Sequence, residues 1–158
     1  MVSEKTFTHL SEKGEARMVD VSEKTAANRR AVASGRISIS TEAMKALTSG
    51  TNPKGDVLAA ARIAGVLAAK KTADLIPLCH PLGLDFCEVT FSISDGCIEI
   101  RSEVKVNGPT GVEMEAITAV SVAAITIYDM CKSFDKRMVI SDIMLLEKEG
   151  GKSGLFKR

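Results

Sequence analysis

An aspartate and a lysine near the end of an apolar run give the strongest hint of chemistry in this chain. The run is GVEMEAITAVSVAAITIYDMCK, residues 111–132, with Glu113 and Glu115 at its start and Asp129 and Lys132 at its end. Between Ala116 and Ile127 only Thr118, Ser121 and Thr126 are polar, so the pattern predicts a helix that is hydrophobic nearly all round and buried. Early carboxylates suit the positive end of a helix dipole, whereas Asp129 carries the wrong sign for its place. It reads either as a functional acid or as half of an ordinary i,i+3 pair with Lys132.

Three further places could do chemistry. Lys54 is expected in the first turn of a helix, where a cation opposes the dipole unless an anion such as phosphate offsets it; a solvated lysine is the plainer alternative. The segment Leu78-Cys79-His80 is pinned between Pro77 and Pro81, which stiffens the backbone behind one of the chain's 2 histidines. Such a histidine can move a proton or orient a substrate, or it can be a hydrogen-bonded structural residue. The stretch 147–154, EKEGGKSG, brings Lys148 and Lys152 into a glycine-rich setting that could wrap a phosphate or remain a flexible tail. It is not a P-loop, because Leu146 occupies the position of the first glycine and no helix can follow so close to Arg158.

These residues must be positioned by one core, since 158 residues fill one domain and fall short of two. The net charge of +1 supplies no field toward nucleic acid or anionic membrane, and 4% aromatic residues supply few stacking platforms. The polar start of the chain lacks the pattern of an export signal, which points to the cytoplasm. Cys79, Cys87, Cys97 and Cys131 form no Cys-x-x-Cys pair, so neither a metal site nor a disulfide is expected. Residues 1–30 are charged and aperiodic and read as a mobile arm ahead of a single domain, 31–158. Within that domain a strand over 31–40 precedes a short helix over 41–47 capped by Ser40 or Thr41. An alanine-rich helix over 54–73, with Asn52 as cap and Pro53 at its first position, comes next. Strands over 84–94 and 97–106 flank the hairpin signal Asp95-Gly96, and a last strand over 138–147 follows the long helix. That order predicts an α+β, ferredoxin-like split βαβ sandwich, an antiparallel sheet with helices on one face.

Four runs, MVDVSEK (18–24), KGDVLAAARIAGVLAAKKTADLIPLCHPL (54–82), TGVEMEAITAVSVAAITIYDMCK (110–132) and LLEKEGGKSG (145–154), resemble the cyclic pyranopterin monophosphate synthase family of molybdenum cofactor biosynthesis. The likeness spans almost the whole chain; Gly83, Asn107-Gly108-Pro109 and Leu155 depart from the usual pattern but leave the motif residues intact. It implies a lyase that turns 3′,8-cyclo-7,8-dihydro-GTP into cyclic pyranopterin monophosphate and releases pyrophosphate, downstream of a radical GTP cyclase and without a redox cofactor or metal. It implies that Lys54, Asp129 and Lys132 are catalytic, that Leu78, Cys79, His80, Glu113, Met114 and Glu115 line the substrate site, and that Arg29, Lys148 and Lys152 contact phosphate or ring. A homohexamer built as a trimer of dimers, with sites at a dimer interface and no nucleic-acid or membrane partner, is implied as well. The alternative is a purine-nucleotide-binding regulatory module that turns nothing over, which would need the lysines and the glycine-rich tail but not Asp129 or His80.

Overall fold

A computed structural model describes residues 13–151 and 154–158. Strand β1 (Ala27–Ser38) leads into α1 (Thr41–Thr48), α2 (Val57–Lys70) and the single turn α3 (Thr72–Leu75). The hairpin β2 (Phe86–Ser94) and β3 (Cys97–Gly108) follows, then α4 (Glu113–Cys131), β4 (Val139–Glu149) and the two-residue β5 (Phe156–Lys157). The sheet order is β2-β3-β1-β4-β5 and every pairing is antiparallel. Its first four strands have the order of the ferredoxin-like sandwich, with α2 and α4 packed side by side on one face.

Alternation decides which face of the sheet meets the helices. On β1, Ala31, Ala33 and Ile37 are buried under α4, while Arg30 and Arg36 stand on the opposite face. There Arg30 binds Glu103 at 2.9 Å, Glu147 at 2.9 Å and Glu149 at 3.3 Å, tying β3, β1 and β4 together on the side without helices. The hydrogen bonds from Arg30, and then from Lys105, hold the Glu103 carboxyl down at about 2, so the Arg30–Glu103 pair persists well into acid.

Several element boundaries differ from expectation. β1 starts at Ala27, within the stretch read as an arm, because its pairing with β3 runs to Ala27 opposite Gly108. Ser40 caps α1 by accepting from the amide of Ala43. Helix α2 begins at Val57 rather than near Lys54, since Asp56 is its cap and accepts from the amide of Ala59. Lys54 therefore lies in the loop ahead of the helix, and the dipole argument for it does not apply. The long helix is also less enclosed than its composition implies. Ile125 on α4 and Ile63 and Leu67 on α2 are more than half exposed, so the helix layer keeps an apolar stripe on its outer side.

The two long helices meet through small residues. A Cβ placed on Gly65 of α2 would lie 2.9 Å from the carbonyl oxygen of Ala119 and 3.1 Å from Val89 Cγ2. The neighbours are backbone and core side chain, neither of which can swing aside. Gly65→Ala gains about 1 kcal/mol of helix propensity but overpacks this contact at a cost of about 1–3 kcal/mol. The variant is expected to melt a few degrees below the parent; an equal or higher Tm would show that α2 and α4 can part without penalty.

Candidate active site

The expected site residues fall into two groups at opposite ends of α4. At its C-terminal end the exposed Asp129 carboxylate accepts from Lys132 Nζ at 2.6 Å and from Lys54 Nζ at 3.1 Å. Lys54 Nζ also donates to the Asp129 carbonyl at 2.7 Å, satisfying a backbone oxygen near the helix end. The residue that delivers Lys54 is Asn52. Its buried side chain donates to the Met130 carbonyl at 3.1 Å and accepts from the Lys54 amide at 2.9 Å, clipping the 52–54 loop to the end of α4. Asn52 is thus a bridge between two elements and not the cap of α2.

The two lysines explain why an acid is tolerated at the negative end of a helix. Hydrogen bonds from Lys132 and then Lys54 hold the Asp129 carboxyl below its usual range, and Asp129 in turn holds Lys132 above the ordinary lysine value. In this arrangement the charged Lys132 could donate a proton or hold an anion. Service as a base would need Asp129 to be drawn away first.

At the other end of α4 lies a cleft of two joined lobes, about 410 and about 710 Å³, which share Lys24, Thr110, Gly111 and Glu113. The inner lobe is walled by Leu78, Cys79, His80, Met114 and Glu115, and the outer by Arg29, Lys148, Glu113 and Gly151. Each wall has a local cause. Pro77 sits inside a turn closed by the Cys79 amide on the Ile76 carbonyl at 3.0 Å, after which Cys79 and His80 line the lobe. The start of α4 is fixed from beneath by buried Ser102, whose hydroxyl donates to the Ala116 carbonyl at 2.8 Å.

The glycine-rich segment is more ordered than a tail where it meets the cleft. Gly150 and Gly151 have φ of 95° and 76°, and a Cβ at Gly151 would collide with the Arg29 guanidinium. The chain can cross over Arg29 only because two glycines stand there. Arg29 itself donates to the carbonyls of Gly108 and Pro109 at 3.3 and 3.4 Å, and Lys148 pairs with Glu113 at 3.3 Å. Lys152 lies outside the described residues.

His80 lines the inner lobe and is hydrogen-bonded there, Nε2 to the Val19 carbonyl at 2.7 Å. Val19, Val21 and Lys24 were not singled out from sequence, although each lines the cleft. Of the cysteines, Cys97 and Cys131 are buried and Cys79 and Cys87 half-buried, all as free thiols.

Comparison with known proteins shows the family. The profile of the MoaC family matches residues 18–151, which include every residue of both groups except Lys152. The chain belongs to the MoaC family. Cyclic pyranopterin monophosphate synthase of Heliobacterium modesticaldum is 58% identical over 154 residues, covering 96% of this chain and 97% of that protein. The enzymes of the same name from Thermoanaerobacter sp. strain X514 and Mycobacterium bovis are 54% and 55% identical, each over 96% of this chain and over 98% and 90% of their own lengths.

Within this MoaC chain the most perturbed cleft group is Glu115. Only 4% exposed, it is pushed up to about 7 by burial, with its own backbone amide pulling down and neighbouring Glu113 pushing up. An acid whose folded value is raised favours folding least when ionised. Stability from this group is therefore complete below about pH 4.5, falls as pH climbs to about 7, and stays low above that. The loss amounts to about 3 kcal/mol. Glu115→Gln, neutral at every pH, should be no more stable than the parent at pH 4 and roughly that much more stable at pH 8. Denaturant titrations with the same difference at both pH values would place the Glu115 carboxyl in an ordinary, solvated state.

Proposed function

We propose that this chain is a cyclic pyranopterin monophosphate synthase, a lyase that converts 3′,8-cyclo-7,8-dihydro-GTP into cyclic pyranopterin monophosphate with release of pyrophosphate. The observation that carries this reading is the convergence of Cys79, His80, Met114 and Glu115 in one lobe with Arg29, Lys24 and Lys148 in the adjoining one, in a chain of this family. The inner lobe offers an apolar wall with two proton-exchanging groups, suited to a ring that opens and recloses. The outer lobe offers cations at close quarters, suited to a polyphosphate, with Lys152 of the same run as a further candidate contact. Lys54, Asp129 and Lys132 serve as the catalytic group. A nucleotide-holding module without turnover would use the lysines but leave Asp129 without a task.

The separation of the groups supports a shared site. Glu115 and Asp129 are 14 positions apart on an unbroken helix, roughly 21 Å along its axis. One small substrate does not span that distance and the width of the cleft as well. Two copies related by a twofold axis, with helix layers antiparallel, would bring Asp129 and its lysines from one chain to the Glu115 cleft of the other. The exposed stripe of Ile63, Leu67 and Ile125 fits such an interface, and three dimers of this kind would complete a hexamer. On this reading the reaction runs in the cytoplasm and takes its substrate from a radical GTP cyclase.

Asp129→Asn and Lys132→Ala are expected to fold normally, because both side chains are exposed, and to lose roughly 10²-fold or more in turnover. Pyrophosphate release at the parental rate by either folded variant would remove that residue from the mechanism. For the shared site, Glu115→Ala and Asp129→Ala are unfolded together and reassembled. Random pairing makes about half the dimers mixed, each with one intact site of two, so activity should return to roughly a quarter of the parent. Mixed oligomers that remain inactive would mean that each site draws both residues from one chain.

A further inference from the structure

The segment ahead of β1 is built more definitely than its charged, aperiodic sequence implies. Asp20 Oδ1 accepts from both the amide and the hydroxyl of Ser22, at 2.9 and 2.7 Å, closing a turn of the Asx type. A second turn follows at once, with the Lys24 amide donating to the Val21 carbonyl at 3.0 Å. Two turns in succession reverse the chain against the cleft. On one side of Asp20 the Val19 carbonyl meets His80 Nε2 at 2.7 Å; beyond the second turn, Lys24 lines both lobes. A carbonyl oxygen only accepts, so this contact places the hydrogen of His80 on Nε2. The side chains of Ser22 and Asp20 are themselves exposed and line neither lobe, so they act on the cleft through the backbone, with the Asp20 charge near His80 as a smaller, direct effect.

We propose that Asp20 is a positioning residue for the cleft: its turn with Ser22 holds residues 19–24 in the shape that presents the Val19 carbonyl to His80 and brings Lys24 to the junction of the two lobes. The proposal rests on reading the cleft as the substrate site. The electrostatics agree, since the Ser22 amide and then its hydroxyl hold the Asp20 carboxyl below its usual range, with Arg17 and His80 adding smaller contributions. Without the acceptor at position 20, the 19–24 backbone loses the first of its two turns, and both the histidine contact and the lysine become one arrangement among several. The reaction slows because its groups are in register for a smaller share of the time.

The chain has 2 histidines, so a His9→Gln background leaves His80 as the only imidazole. In that background a hydrogen-bonded, slowly exchanging Nε2–H proton should be visible by ¹⁵N-edited NMR of the substrate-free protein. Asp20→Ala is expected to lose this resonance to exchange and to lower kcat about ten-fold, the worth of one well-formed hydrogen bond. Asp20→Asn, whose side-chain oxygen can still accept from Ser22, should restore the resonance and most of the rate. Should Asp20→Ala fail to fold, Ser22→Ala removes only the hydroxyl bond and carries the same comparison with a smaller loss. The proposal is overturned if the resonance survives in Asp20→Ala, or if it disappears while kcat is unchanged. Because the resonance is read without substrate, its outcome is independent of whether the protein proves to be a lyase.

Discussion

The contact on which the other features depend is the close seating of α4 between α2 and the sheet. It requires glycine or alanine wherever the helices approach. Gly65 faces Ala119 and Ala123, and on the other side of α4 a Cβ at Gly35 of β1 would run into Val120. With so little side chain between backbones, α4 has no freedom to bend or slide, and a 19-residue helix becomes a rigid rod. What is attached at its two ends is then held at a fixed separation. The Glu113–Glu115 turn is kept at one end by Ser102, and Asp129 at the other is met by Lys54 through the Asn52 clip.

The rod also separates two electrostatic regimes. Its N-terminal carboxylate is buried, so Glu115 is driven toward the neutral form at a pH where an exposed glutamate is fully ionised. Its C-terminal carboxylate is exposed and doubly paired, so Asp129 is driven the other way. One helix therefore presents an acid that retains its proton and an acid that does not. Pairs of titratable groups pushed apart in this manner are what proton-shuttling chemistry requires. Two copies packed antiparallel about a twofold axis, as proposed above, would bring the two kinds together without any change in either chain.

Much of this was legible in the sequence because the local signals were strong. Asp95-Gly96 between alternating strands gave the hairpin, and Gly96 adopts the φ of 67° that such a turn demands. Charges confined to the ends of 111–132 gave α4, and the proline-bounded 77–81 stretch gave the wall of the inner lobe. What escaped depends on contacts far apart in the chain. Asn52-Pro53 has the form of a helix start, and nothing local reveals that Asn52 instead reaches Met130, 78 positions away. The outer stripe of α4 escaped because composition alone cannot say which faces of an apolar helix find a partner within one chain.

The 18–24 run shows the same limit from the opposite direction. Its charge density reads as solvent-loving, and in side-chain terms that is correct, since Asp20 and Ser22 are exposed. Yet the hydrogen bond that matters is made by a backbone carbonyl, and a carbonyl has no sequence identity. Only the turn that aims it leaves a trace, as an aspartate two positions before a serine. The same reasoning applies to Gly150-Gly151, where the signal resembles flexibility and the physical cause is the space that the Arg29 guanidinium occupies. In both places a polar or glycine-rich segment owes its composition to what the backbone must approach. Read that way, residues 18–24 and 147–151 form two rims of one cleft, and each is shaped by the residue it closes over, His80 on one side and Arg29 on the other.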